Sequence, residues 1–248
     1  MTHSNTMLSD GSNPEGVDPV PALQWRSKAN FTDVVVHGPA FSAGTTKVRC
    51  FLTYAGISFR HDQHMPKGFK PNTSYKKVPI IDVAGRQVND SEIILKNLVP
   101  ALGLEFNHAW ERRIVLELDT TFKLHCESKD WAMLAVATMG APSFLKFIIG
   151  PAIKRMERGQ ARRNIALLGL GHAESDEVVI AKDFKAAMTG RFFAGDAPGH
   201  VDLSLYGLMA GYLYAECPIA ARMVAGADLG AWVESMDTVV PLAGLFRR

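Results

Sequence analysis

Three short stretches hold residue types that can do chemistry together. Ser42 stands in Gly38-Pro39-Ala40-Phe41-Ser42-Ala43-Gly44, between an apolar run and a helical pattern, five residues before Lys47. A hydroxyl at that junction lies beside the unbonded N–H groups and the positive dipole end of a helix. A thiolate brought there gains a charge-assisted hydrogen bond of about 1.5–3 kcal/mol. The dipole adds about 0.3–1 kcal/mol. At about 1.36 kcal/mol for each unit of pKa, the sum lowers a bound thiol from about 8.5 toward about 6.5. The plainer alternative is that Ser42 caps the helix and nothing more. Lys77-Val78-Pro79 opens the second stretch. Pro79 cannot donate to a ladder, so it belongs at a strand end or edge, and it forces Val78 into an extended form. The third stretch is Asp90-Ser91, where a helix N-cap belongs ahead of Ile93, Ile94 and Leu98. Exposed backbone beside a cluster of free helix N–H groups suits an anionic peptide.

The elements that must position these residues are legible around them. Asp33-Val34-Val35-Val36-His37 reads as a short apolar strand, and Val48, Phe51, Leu52 and Ala55 recur at helical spacing up to a stop at Gly56. Ile57 and Phe59 suggest a second strand, and His61 to Lys76 reads as a loop. Val78 to Val83, the turn Ala84-Gly85-Arg86 and Gln87-Val88 form a hairpin. Strands joined through a helix pair in parallel, and the hairpin adds an antiparallel pair. A compact mixed sheet is expected from about Asp33 to Pro100. From Glu105 onward the period is helical (Ile114, Leu118, Phe122, then Leu134, Ala135, Met139), cut by Pro142, Pro151, Pro198 and Pro218. The boundary falls near Gly103 to His108. Three units are expected: a disordered tail over 1–30, an α/β unit over 31–102 and an all-helical unit over 108–248.

Composition narrows the classes. A chain of 248 residues, 47% hydrophobic, buries a sizeable core, and a net charge of +2 gives no global pull toward nucleic acid. Cys50, Cys126 and Cys217 are odd in number and widely spaced, which argues for free thiols in a reducing compartment. The polar first thirty residues are neither a signal nor a typical transit peptide. The apolar run Trp131 to Ile153 is interrupted by Gly140, Pro142, Lys146, Gly150 and Pro151, so it reads as a buried helix pair and not a membrane span.

Other constellations are weaker. Gly38 to Lys47 has the wrong glycine and lysine spacing for a phosphate loop. His61-Asp62-Gln63-His64 offers metal donors without a third His or a Cys nearby in sequence, so a solvated loop and no metal is expected. Lys154, Arg155, Arg158, Arg162 and Arg163 lie on overlapping helical faces, either solvated or touching anionic lipid or a partner. Cys50 reads as a buried small side chain. Trp131, Phe144, Tyr206, Tyr212 and Tyr214 either pack the core or line an apolar pocket.

The order strand, Ser42-Ala43-Gly44-Thr45-Thr46-Lys47-Val48-Arg49, Lys77-Val78-Pro79, then Asp90-Ser91 resembles the thioredoxin-like domain of glutathione transferases. Phe192-Phe193-Ala194-Gly195-Asp196-Ala197-Pro198-Gly199-His200-Val201-Asp202 resembles the capping motif of that superfamily's helical domain. Lys47-Val48-Arg49-Cys50-Phe51-Leu52, Asn89-Asp90-Ser91, Asp202-Leu203-Ser204-Leu205-Tyr206-Gly207 and the region 147–171 are most similar to the prostaglandin E synthase type 2 branch. The resemblance covers about residues 33–248. It implies a thioredoxin-like α/β domain followed by a helical one, and glutathione as the bound peptide. Pro79 is then the cis-proline. Val78 pairs with the cysteinyl backbone, with Lys77 beside it. Asp90 holds the γ-glutamyl ammonium and Ser91 its carboxylate. Ser42 becomes the serine that activates the thiol, and Asp202 caps a core helix.

The departures matter. Ser42 and Thr45 stand where the prostaglandin synthase branch has a Cys-x-x-Cys, which excludes thiol–disulfide exchange by that pair, and no tyrosine follows the first strand. That branch's N-terminal membrane anchor is not expected. Three functions follow from the resemblance. The first is conjugation of the glutathione thiolate to a small hydrophobic electrophile. The second is glutathione-dependent isomerisation or peroxide reduction of an oxidised lipid, with haem admitted as a further cofactor by resemblance only. The third is a non-enzymatic adaptor. The implied setting is a cytoplasmic homodimer with organelle or peripheral membrane contact admitted, without nucleic acid or a transmembrane span.

Overall fold

The structure, a computed structural model, describes Trp25 and residues 27–63, 78–140, 142–168 and 177–246. Lys77, His64 and nearly all of the first thirty residues lie outside them; within that stretch, the Trp25 ring packs against Phe31 at 4.6 Å. The first half alternates strand and helix: β1 (Val34–His37), α1 (Ala43–Tyr54), β2 (Phe59–Asp62), β3 (Ile80–Val83), β4 (Arg86–Asn89) and α2 (Ser91–Ala101). The sheet order is β2-β1-β3-β4, with β1 parallel to β2 across the α1 crossover and antiparallel to β3. The hairpin register pairs Ile80 with Asn89 and Val83 with Arg86, and Ala84 and Gly85 take the positive φ values that the tight turn requires. Strand β2 runs to Asp62, so His61 and Asp62 belong to an edge strand and not to the expected loop. Polar residues on an exposed edge carry no alternating apolar signal, which is why the pattern hid it.

The second half is helical. α3 (His108–Arg112), a π-helical segment Arg113–Leu118 and α4 (Asp119–His125) run on without a break. α5 (Ser128–Met139) ends at Gly140, whose φ of 64° suits glycine, and α6 (Lys146–Leu168) follows a 3-10 turn at Ser143–Leu145. Pro151 does not cut the chain as expected; it lies inside α6. Five more helices follow among the described residues: α7 (Glu177–Ala187), α8 (His200–Tyr214), α9 (Pro218–Gly226), α10 (Gly230–Val239) and α11 (Leu242–Phe246). Pro218 stands at the N-terminus of α9, where the missing N–H costs nothing.

The core runs through both halves because α1 is buried on two sides. Val48, Phe51 and Leu52 are buried in the core beside the sheet residues Val36, Ile81 and Val88, and the same helix crosses α8 closely. At the crossing, a Cβ on Gly207 would come within 2.7 Å of Lys47 Cα, so only glycine lets the two backbones meet. Asp202, in the first turn of α8, accepts from the N–H groups of Gly199 at 3.0 Å and Phe193 at 2.9 Å, and from Trp232 Nε1 at 2.9 Å. One carboxylate thereby fixes the loop before α8, the start of α8 and α10. Burial lifts its pKa against the pull of those donors. All three cysteines are free and buried, and burial raises each thiol, so none serves as a nucleophile. No helix among the described residues is long and apolar enough to cross a membrane. The apolar run 131–153 is nonetheless not wholly buried, since Phe144, Phe147 and Ile148 point outward.

Candidate functional site

The loop before α1, the Val78–Pro79 bond and the start of α2 converge. Gly38 has φ +140°, a conformation that side chains resist, and a Cβ there would strike Thr45 Oγ1 at 2.3 Å and Val78 Cβ at 2.9 Å. Gly44, in the first turn of α1, faces Pro79 Cδ at 2.8 Å and Ser91 Oγ at 3.4 Å from its ideal Cβ position. This close approach explains a glycine inside a helical turn, where propensity alone disfavours it. The Val78–Pro79 bond is cis. Pro79 O accepts from Asp90 N at 3.2 Å, tying that bend to the head of α2.

Ser42 is extended at φ −68°, ψ 119° and forms the N-cap of α1; its Oγ accepts from Thr45 N at a long 3.5 Å. So weak a cap leaves the hydroxyl disposed to a second partner. Asp90 caps α2 through Oδ1, which accepts from Glu92 N at 2.8 Å, with φ +75° and ψ 128°. A non-glycine residue held there stores of order 1–3 kcal/mol, and such strain concentrates at functional sites.

These segments form one wall of a cleft of about 300 Å³, with Phe41, Ser42, Val78 and Ser91 lining it. The opposite wall comes from the helical half: Val115, Asp119, Lys123, Trp131, Glu157 and Tyr212. The π-helical segment supplies Val115 and leads into Asp119, in keeping with the frequent use of π turns at sites. Of the residues singled out from sequence, Ser42, Val78 and Ser91 line the cleft together. Asp90 and Pro79 stand directly behind them. Of the aromatic set only Trp131 and Tyr212 reach the cleft. Tyr206 is core and donates to Asp237 at 3.1 Å, Tyr214 stacks on Phe246, and Phe144 faces solvent.

The helical wall is more polar than its sequence pattern suggested. Lys123 Nζ lies 2.6 Å from Asp119 Oδ2 and 3.6 Å from Glu157 Oε2. Burial pulls the Lys123 ammonium down, but the two carboxylates outweigh it and its pKa ends above the ordinary lysine value. Burial lifts the Glu157 carboxyl; Lys123 holds it back in part and Asp119 adds to the rise. Trp131 Nε1 is buried and has no hydrogen-bond partner among the described residues. Buried donors are rarely left so, which marks the wall as able to take a polar group from a ligand. Sequence reasoning passed over Asp119 and Lys123, although their i,i+4 spacing was a usable signal.

Beneath the cleft, Lys47 on α1 donates to Glu111 on α3, both side chains 3% exposed. Ser204 Oγ also donates to Glu111, and His200 Nε2 lies 3.2 Å from Oε2. Asn107 N donates to His200 Nδ1 at 3.1 Å, which assigns the ring proton to Nε2, facing Glu111. Burial pushes the Glu111 carboxyl up, but the Lys47 ammonium and His200 overcome it and hold it at about 2. Lys47 is therefore engaged and its charge is not offered to a ligand.

The described residues contain no group of three or more side chains placed to hold a metal ion. His61 Nε2 lies 2.8 Å from Gly38 O. Haem does not fit the residues present. Among the described residues no histidine or cysteine lines the cleft, burial keeps the Tyr212 phenol protonated, and Met156 stands exposed at the rim.

No protein-family model and no curated protein matches the chain. A solved glutathione transferase from Phanerochaete chrysosporium is similar over 88% of this chain and 98% of its own, with 15% identity and a TM-score of 0.53. A Tau class glutathione transferase from mango covers 87% and 93% at 14% identity and a TM-score of 0.49. A prostaglandin synthase D of Nilaparvata lugens covers 86% and 96% at 16% identity and 0.47. The first of these shares the overall fold over nearly its whole length: the chain has the fold of the glutathione transferases, a thioredoxin-like α/β part followed by a helical part.

Proposed function

We propose that this chain is a glutathione-dependent transferase, with the peptide bound by the unit at 31–102 and its acceptor by the helical unit at 108–248. One observation carries the reading: a weakly capped serine hydroxyl, a cis-proline bend and a strained helix start share one wall of a cleft. The Val78 backbone pairs with the cysteinyl residue of glutathione, as an extended peptide pairs with a free strand edge. Asp90 takes the γ-glutamyl ammonium, and Ser91, at the N-terminus of α2, takes its carboxylate. The sulfur then lies at Ser42, where hydroxyl and helix dipole favour the thiolate. The thiol proton passes to solvent. The sulfur lone pair forms the new bond to an electrophilic carbon, whose displaced electron pair leaves with the leaving group or moves onto a conjugated oxygen. The acceptor rests on Val115, Trp131 and Tyr212, with Lys123 and Trp131 Nε1 supplying donors for any polar atom it carries.

Calorimetry with glutathione, followed by conjugation of a chlorodinitrobenzene-type electrophile, tests this. Ser42→Ala is expected to lower kcat about ten- to thousand-fold, the effect of losing one preorganised donor. Heat stabilisation by millimolar glutathione is expected as well. Absence of both a calorimetric signal and a thermal shift would refute the assignment.

A further inference from the structure

The outward face of α6 is built unlike the rest of the surface. Phe144, Phe147, Ile148 and Met156 are 73%, 77%, 69% and 55% exposed. Further along the same face stand Arg155, Arg162 and Arg163, exposed and without an ion pair to any other described residue. The helix period brings Ile148, Arg155 and Arg162 together, since they recur every seven positions, about two turns, with Arg163 beside Arg162 and Phe144 one turn before Ile148. The inward side is different. Gly150 abuts the Ser128 carbonyl, Glu157 and Ala161 are buried, and Lys154 and Arg158 turn onto Glu127. The helix's only carboxylate, Glu157, thus faces inward, and the outward stripe is apolar at its start and purely cationic toward its end.

We propose that this face seats on an anionic bilayer surface. Phe144 and Ile148 enter the boundary between headgroups and acyl chains, and Arg155, Arg162 and Arg163 meet the lipid phosphates. Charge decides the occupant. A second copy packed symmetrically on this stripe would set arginine against arginine with no carboxylate between them. Nucleic acid would match the arginines and leave three large apolar side chains in water. A lipid surface satisfies both ends, and the contact is peripheral because no described helix can cross a membrane. The proposal stands apart from the transferase reading. Met156 joins the two, since it belongs to this stripe and also lines the cleft, which places the cleft mouth at the lipid surface.

Co-sedimentation of the full chain with sucrose-loaded vesicles is the test, in near-physiological salt because surface charge is screened. Phosphatidylcholine vesicles with about a third phosphatidylserine should pellet the chain at least about tenfold more strongly than phosphatidylcholine alone. The pair Phe144→Glu and Ile148→Glu, and separately Arg155→Glu with Arg162→Glu, should each reduce binding about tenfold or more. Their unfolding temperatures should be unchanged, because the replaced side chains are exposed. No binding to anionic vesicles overturns the proposal, and so does binding that both variants retain. A change in oligomeric mass in the Phe144→Glu and Ile148→Glu pair, without vesicle binding by the wild type, would assign the face to a second copy instead.

Discussion

Glu111→Gln is the most informative substitution, because it keeps the shape of the side chain and removes the charge that faces Lys47. The fall of the Glu111 carboxyl from its ordinary 4.5 to about 2 corresponds to about 3 kcal/mol at about 1.36 kcal/mol for each unit of pKa. Removing one partner of a buried ion pair costs about 3–5 kcal/mol by a separate route, since it strands the other charge. The two figures agree. At about 2–4 °C per kcal/mol for a chain of this size, the variant should melt about 6–20 °C lower. Unfolding followed by circular dichroism across pH adds the sign. The folded pKa is depressed, so the wild type holds this stability fully above pH 4.5 and loses it as pH falls toward about 2. In the variant that slope disappears from the difference curve. Lys47→Met with Glu111→Leu should recover only part of the loss, because it removes the stranded ammonium but leaves Ser204 and His200 without their acceptor. A Glu111→Gln chain within about 1 kcal/mol of the wild type, or one with an unaltered slope over that window, would refute the reasoning.

Asp90→Ala should weaken glutathione binding by about 1–3 kcal/mol in calorimetry, the effect of leaving a buried ammonium without its acceptor. Gly44→Ala introduces a methyl 2.8 Å from Pro79 Cδ; displacing the proline bend should raise KM for glutathione while far-UV dichroism stays the same. Gly207→Ala gains helix propensity yet meets Lys47 Cα at 2.7 Å, and overpacking of about 1–3 kcal/mol should appear as a lower urea midpoint. An unchanged midpoint would show that α1 and α8 can move apart without loss.

Much of the cleft wall built by the loop before α1, Val78 and the start of α2 was readable because its signals are local. The Ser42 junction, the hairpin at 80–89 and the Asp90 cap each depend on residues within one turn of themselves. The opposite wall was not, because it depends on which faces of separate helices meet. Lys47 and Glu111 are 64 residues apart, and a lysine in an apolar helix gives no hint of its partner. The π-helical segment at 113–118 shifts the register of every later residue in that helix, so a fixed 3.6-residue period misplaces Asp119 and Lys123. Pro151 misled for a related reason: proline is a breaker by prior, and here tertiary contacts of α6 with α5 override it. The run at 131–153 is apolar enough to read as core, and composition alone does not say which side of a helix meets solvent.

The glycine crossing of α1 and α8 has a mechanical consequence. Two backbones in contact, with a clamped ion pair beside them, leave no soft seam along which the α/β and helical parts could swing open. Any widening of the cleft is then left to α6, which contributes Met156, Glu157 and Gln160 to it and packs on α4 and α5.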